Sequence, residues 1–212
     1  MDPGNEMIVL VHGFFRTRRD MAFLAGYCEK NGYAAFRPTL PAFFSSLEQC
    51  TAELAEKLQQ LPRDFQRIHF VGHSMGGLII RQYLAGHEVA GLGRCVLIGT
   101  PNSGTHLAEI AEKHFGLALK IFKPIQSFLP GRLHIGPPRN QPPPEIGVIA
   151  GNRSTVLLGR FFTTASDGRV AVEAVSLAGQ KAFVVLPYNH LQIHHREQVA
   201  ALVLQFIRTG AF

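Results

Sequence analysis

Ser74 lies in VGHSMGG, Val71–Gly77, with glycine two positions before it and two and three positions after it. The preceding run, Ile68–Val71, reads as a buried strand, and Leu78–Leu84 reads as a helix. Strand, Gly-X-Ser-X-Gly, helix describes a turn so tight that its central residue is strained and its side chain stands clear of the backbone. Side chains at Gly72 or Gly76 would collide with neighbouring segments. The chemistry this favours is nucleophilic attack by the Ser74 hydroxyl. The competing reading is a glycine-rich turn with an incidental serine.

A serine hydroxyl is a weak nucleophile at neutral pH and needs a base, and the base needs an orienting acid. After an elbow of this kind the acid comes next in the chain, followed by a histidine. Downstream of Ser74, outside an irregular middle segment counted here as 101–145, the carboxylates are Glu88, Asp167, Glu173 and Glu197. Asp167 is the only aspartate after Asp64, and it sits in the turn-like triplet Ser166-Asp167-Gly168. A turn aspartate that bonds its own backbone is the plainer alternative. Of the 10 histidines, only His190, His194 and His195 follow Asp167. His190 comes after the strand-like Phe183–Leu186 and before the last helix, so it is favoured as the base. His190 and His194 have an i, i+4 spacing that can bind metal on a helix, but no H-E-x-x-H glutamate or cysteine accompanies them. No metal or cofactor is expected.

Attack on an acyl group places negative charge on the carbonyl oxygen, which preorganised N–H groups stabilise. The Met75 N–H, directly after the nucleophile, is one expected donor. The Phe14 N–H, in the His12-Gly13-Phe14 loop after the first strand, is the other.

These positions imply elements to hold them. Met7–Val11, Tyr33–Arg37, Ile68–Val71, Cys95–Ile98, Ile146–Ala150 and Phe183–Leu186 read as strands. Thr17–Lys30, Leu47–Leu61 (capped by Ser45 or Ser46), Leu78–Leu84 and Arg196–Arg208 read as helices. Alternation of this kind predicts an α/β fold with a mostly parallel sheet covered on both faces. Ligands of such sheets bind beyond the carboxyl ends of the strands. The chain of 212 residues is expected to form a single domain, with 105–144 as an irregular, proline-rich, lid-like insertion. His106–Phe122 could add one or two helices there. His114–Pro130 is read either as a lid or lipid-surface helix or as a core-packing one.

LVHGF (Leu10–Phe14), VGHSMGG, LIGTPNSGTHLAE (Leu97–Glu109), SDGRVAVEAV (Ser166–Val175) and YNHLQIHHREQV (Tyr188–Val199) run in this order over most of the chain. In these motifs the chain resembles the α/β-hydrolase superfamily, and within it the bacterial triacylglycerol lipases and esterases. The resemblance implies carboxylic ester hydrolysis through Ser74, Asp167 and His190, an acyl-enzyme intermediate, and Phe14 and Met75 as oxyanion donors. Larger secreted members often carry a disulfide, a calcium site and a substantial lid. Here no cysteine pair looks like a bridge, and no extra aspartates suggest calcium. An acyltransferase or thioesterase on the same scaffold is the alternative, and a non-catalytic binding protein a weaker one.

Composition narrows the setting. Hydrophobic residues make up 46% and charged residues 17%, which is globular rather than disordered. Cys28, Cys50 and Cys95 are odd in number and scattered, as in a reduced compartment. No apolar run is long enough for a membrane span, and the start lacks the regions of a secretory signal. A cytoplasmic location is therefore expected. The net charge of +6 reads as solubility charge, or as attraction to an anionic membrane surface through residues such as Arg16, Arg18 and Arg19. No basic run interleaved with aromatics points to nucleic acid. The expected partner is a small-molecule or lipid ester.

Overall fold

Met7–Val11 is apolar at every position because both of its faces are covered. Ile8 and Leu10 pack into one cluster, and Val9 and Val11 into another on the opposite side of the sheet. The computed structural model describes residues 5–62, 64–104, 133–155 and 162–212. Within them, β1 (Glu6–Val11), β2 (Ala34–Phe36), β3 (Arg67–His73), β4 (Leu92–Ile98), β5 (Ile146–Gly151) and β6 (Ala182–Leu186) form one sheet. Its order is β2-β1-β3-β4-β5-β6, and every pairing is parallel.

Helices cover both faces. On one side lie α1 (Ala22–Lys30) and α4 (Glu197–Thr209), burying Leu24, Cys28, Val199, Val203 and Phe206 against Ile8, Leu10 and Val96. On the other lie α2 (Leu47–Gln59) and α3 (Met75–Gly86), burying Leu47, Leu54, Leu78 and Ile79 against Val9, Val11 and Phe70. Each fully buried aliphatic or aromatic side chain contributes ~1.5–3 kcal/mol by leaving water. The chain leaves β1 towards β2 on one side and returns through β3 on the other. The carboxyl ends of β1 and β3 therefore flank the point where the strand order reverses, the place where such sheets bind ligands.

Local differences from the sequence expectation have physical causes. Thr17 accepts the Arg19 N–H and caps a 3-10 turn, Arg18–Met21, so the α-helix begins only at Ala22. Of the two serines before α2, Ser46 is the cap, in a reciprocal capping box with Gln49. Helix α3 begins at Met75 rather than Leu78 and takes in Gly76 and Gly77. Packing outweighs the poor helix propensity of glycine there, because added Cβ atoms would overlap the Val11 carbonyl at Gly76 and the Thr100 side chain at Gly77.

The expected helices of His106–Phe122 and His114–Pro130 lie outside the described residues, as does most of the expected lid-like stretch 105–144. Of its described end, Leu133 and Ile135 pack on the α2–α3 side of the core. Asn140 bonds both the N–H and the carbonyl of Val89.

Candidate active site

Strand β3 delivers Ser74 into the turn before α3. Its φ of 54° and ψ of −125° lie where a non-glycine residue is strained, at a cost of ~1–3 kcal/mol that the surrounding packing must offset. Two glycines make the turn sterically feasible. A Cβ on Gly72 would come within 2.5 Å of the Gly77 nitrogen, and one on Gly76 would overlap the Val11 carbonyl. The Ser74 N–H donates to the Ile98 carbonyl at 2.9 Å, tying the elbow to β4. Met75 then opens α3, where the first N–H groups have no partner within the helix and the helix dipole is positive.

The structure brings the three sequence-selected side chains into line. Ser74 Oγ lies 3.0 Å from His190 Nε2. His190 Nδ1 lies 2.6 Å from Asp167 Oδ2. Asp167 is fully buried and His190 nearly so. The two readings of Asp167 coexist on different oxygens. Oδ1 accepts the N–H groups of Arg169 at 2.9 Å and Val170 at 2.8 Å, which is the turn role. Oδ2 is left to face the histidine. The Asp167 carbonyl also accepts the His190 N–H at 2.9 Å, so the acid and base loops are joined through backbone as well.

The loop after β1 lies against Ser74. A Cβ on Gly13 would come within 3.0 Å of Ser74 Cβ, which puts the Gly13-Phe14 backbone beside the hydroxyl. His12 braces this loop from within the core. Its Nε2 accepts the Leu40 N–H at 3.0 Å, so the proton is on Nδ1, which donates to the Gly13 carbonyl at 3.0 Å. Burial lowers the pKa of His12, against smaller opposing effects from the Gly13 carbonyl and Asp20. The neutral tautomer that this bracing needs is therefore the stable one. Beyond it, Phe14, Phe15, Phe43 and Phe44 form a chain of ring contacts, with Phe15 44% and Phe44 58% exposed. This leaves an apolar surface on the side of Ser74 where the loop after β1 lies.

Several residues here escaped the sequence reading. Gly99, with φ +55°, packs its Cα side against the acid–base pair: a Cβ would come within 3.2 Å of Asp167 Oδ2 and 3.3 Å of His190 Nδ1. Its only signal in the sequence is a glycine at the carboxyl end of a strand. Buried Asn102 donates to the Val175 carbonyl at 2.6 Å and accepts from Arg81 at 3.0 Å, fastening the loop after β4. His73, the residue before the nucleophile, is buried between the rings of His190 and His194, with centroids at 4.9 and 3.7 Å. The competing histidines, His194 and His195, are placed beside Asp20 instead of Ser74.

The model of the family described as "Alpha/beta hydrolase family" matches residues 8–204. No curated protein matches the sequence. Among solved structures, the chain is similar to the mature form of the lipase BlEst2 from Bacillus licheniformis. The two are 23% identical with a TM-score of 0.79, over 98% of this chain and 92% of that one. It is similar to the metagenomic carboxyl esterase MGS0156, at 19% identity and a TM-score of 0.74, over 89% of this chain and 65% of that one. It is also similar to tomato methylketone synthase I, at 12% identity and a TM-score of 0.64, over 96% and 98% of the two chains. At these identities the likenesses establish the shared fold, and the differing names show that the fold alone does not choose the reaction.

Proposed function

The chain belongs to the alpha/beta hydrolase family, and from that premise we propose that it hydrolyses carboxylic esters, with Ser74 as nucleophile, His190 as base and Asp167 as the partner of that base. The observation that carries this reading is the unbroken polar line from a strained serine to a buried carboxylate: 3.0 Å from Ser74 Oγ to His190 Nε2, then 2.6 Å from His190 Nδ1 to Asp167 Oδ2.

As Ser74 Oγ bonds to the acyl carbon, its proton passes to His190 Nε2. The carbonyl oxygen becomes an oxyanion held by the Phe14 and Met75 N–H groups. The C–O bond to the alcohol then breaks, and His190 returns the proton to the departing alkoxide. Water, deprotonated by His190, attacks the acyl-enzyme and releases the acid and free Ser74. Asp167 keeps His190 in the tautomer whose Nε2 is unprotonated and stabilises the imidazolium that forms. The phenylalanine surface beside the oxyanion loop supports an apolar acyl group, since burying each CH2 is worth ~0.8 kcal/mol.

Ser74→Ala tests the reading. Hydrolysis of p-nitrophenyl butyrate should fall to near background, and a fluorophosphonate probe should label the intact chain at Ser74 alone. Undiminished turnover in the variant would overturn the assignment. Acyl transfer to added alcohols exceeding hydrolysis would instead point to a transferase on the same residues.

A further inference from the structure

A second group of ligand-type side chains lies beside the Ser74 site. His194 Nε2 is 3.0 Å from Asp20 Oδ2, and His195 Nε2 is 3.7 Å from Asp20 Oδ1. One nitrogen from each of these histidines and one Asp20 oxygen all lie within 4.8 Å of one another. His73 Nδ1 approaches from the elbow, 3.7 Å from Asp20 Oδ2.

His194 Nε2 and Asp20 Oδ2 are within hydrogen-bonding distance of each other, and the remaining contacts are longer. His194 is 1% exposed, yet its Nδ1 has no hydrogen-bond partner, and the same is true of buried His73 Nδ1. Unpaired buried polar atoms are destabilising, so atoms of this kind beside a carboxylate favour a ligand.

The tautomer of His73 sharpens this. Its Nε2 lies 3.1 Å from the His190 carbonyl, which can only accept, so Nε2 carries the proton and Nδ1 bears a lone pair. That lone pair faces a carboxylate, an arrangement that is repulsive until a cation sits between them.

A carboxylate and imidazoles are ligand types of a zinc-class ion. With bonds of ~2.0–2.1 Å in tetrahedral geometry, ligand atoms stand ~3.3 Å apart. One ligand atom from each of the three residues lies within 4.8 Å of the others, so small side-chain shifts bring them to that spacing. An open pocket of about 340 Å³, lined by Arg16, Thr17, Arg19, Asp20 and His195 among others, gives access from solvent. Arg16 Nε lies 3.7 Å from Asp20 Oδ1. Its side chain is 40% exposed, so it can swing into water as an ion enters.

We propose that Asp20, His194 and His195, with His73 Nδ1 as a further donor, bind one divalent transition-metal ion of the zinc class. The ion would join the 3-10 turn at Arg18–Met21 to the segment that follows His190. It would touch neither Ser74 nor the acyl group, so its role is to clamp the base-bearing loop. The proposal does not depend on the ester reading, because its readout is metal binding.

The test uses the full chain, stripped with a chelator and titrated with Zn²⁺ or Co²⁺ alone. The expected result is one ion per chain by elemental analysis, visible absorption bands from bound Co²⁺, and a higher thermal midpoint in the loaded protein. Asp20→Asn and His195→Ala should each weaken binding by at least ~100-fold. The His195 side chain is 42% exposed, so its removal leaves the core intact, which circular dichroism verifies. Failure of the intact chain to bind an ion stoichiometrically would overturn the proposal, as would equal binding by both variants. If D20N lowers the thermal midpoint while no form of the protein binds metal, Asp20 is only a loop anchor and the proposal fails.

Discussion

Asp167→Asn exchanges one carboxylate oxygen for an NH2 group with almost no change in volume. The two oxygens are not equivalent: Oδ1 accepts two backbone N–H groups, from Arg169 and Val170, and Oδ2 faces His190 Nδ1. Only the oxygen of an amide can satisfy those two donors, so its NH2 must turn towards His190. His190 then has to accept at Nδ1 and carry its proton on Nε2, 3.0 Å from Ser74 Oγ. In that tautomer it cannot take the serine proton, a defect that lowers kcat by ~10⁴-fold in serine hydrolases of this type. The amide can escape by flipping, but both backbone donors would then face an NH2, at ~1–3 kcal/mol for each unsatisfied group. At 1.36 kcal/mol per decade, the active minor rotamer limits the expected fall to about 10²–10⁴-fold. Fold stability should barely change, because the major rotamer keeps both backbone bonds; a loss of ~1 kcal/mol would move the thermal midpoint by ~2–4 °C. The assay is p-nitrophenyl butyrate turnover and thermal unfolding on the same fresh sample. The new Asn precedes Gly168, a sequence prone to deamidation, so activity that returns on storage would report the same carboxylate. Turnover within tenfold of wild type, at an unchanged midpoint, would refute the role given to Asp167.

Gly99→Ala should lower stability by ~1–2 kcal/mol from the left-handed backbone alone. It should also cut kcat by ~10-fold or more through displacement of the Asp167–His190 pair, since small misplacements of reacting groups are costly; urea unfolding and kcat measured together separate the two effects. Burial pushes the thiols of Cys28 and Cys95 up to about 12 and that of Cys50 up to about 11. Iodoacetamide at pH 8 should therefore neither modify nor inhibit the native protein, as intact mass and residual activity would report. His12, His69, His73 and His194 all have pKa values lowered chiefly by burial. Their folded values lie below the unfolded one of ~6.5, so their contribution is complete above that pH and declines as pH falls, by at most ~1.4 kcal/mol per pH unit for each histidine. Asp20, whose pKa is also lowered, acts only below ~3.9 and does not offset the loss in this window. A urea midpoint unchanged between pH 7.5 and pH 5 would refute this.

The parts of the site legible in the sequence are those that steric exclusion or chain order makes visible. Gly72 and Gly76 announce close approach wherever they occur, and the continuous apolar run Met7–Val11 announces a strand covered twice. Asp167 and His190 could be chosen because few carboxylates and histidines follow Ser74. The contacts of Gly99 were not legible, because a glycine after a strand looks the same whether it faces solvent or an acid–base pair. The start of α3 was misjudged for a related reason: Gly76 and Gly77 lower helix propensity, and only the nearness of β1 and β4 shows why they are there. The 3-10 turn before α1 depends on the Thr17 cap, which hydrophobic spacing does not report.

Asp20 was invisible for a deeper reason, and comparison with Asp167 shows what separates them. Both are carboxylates beside a histidine, Asp167 fully buried and Asp20 partly so. Asp167 has two backbone N–H groups on one oxygen, fixed dipoles that lie within its own turn and accompany it wherever the loop folds. Its other oxygen is left to hold His190. Asp20 has no such donors on Oδ2, and the groups facing it are imidazoles contributed by the elbow and by the segment after His190. Its charge is met by Arg16, four residues before it, at Oδ1, and by imidazoles distant in sequence. A carboxylate with its own dipoles can serve a proton shuttle, whereas one faced by several imidazole nitrogens is suited to a cation.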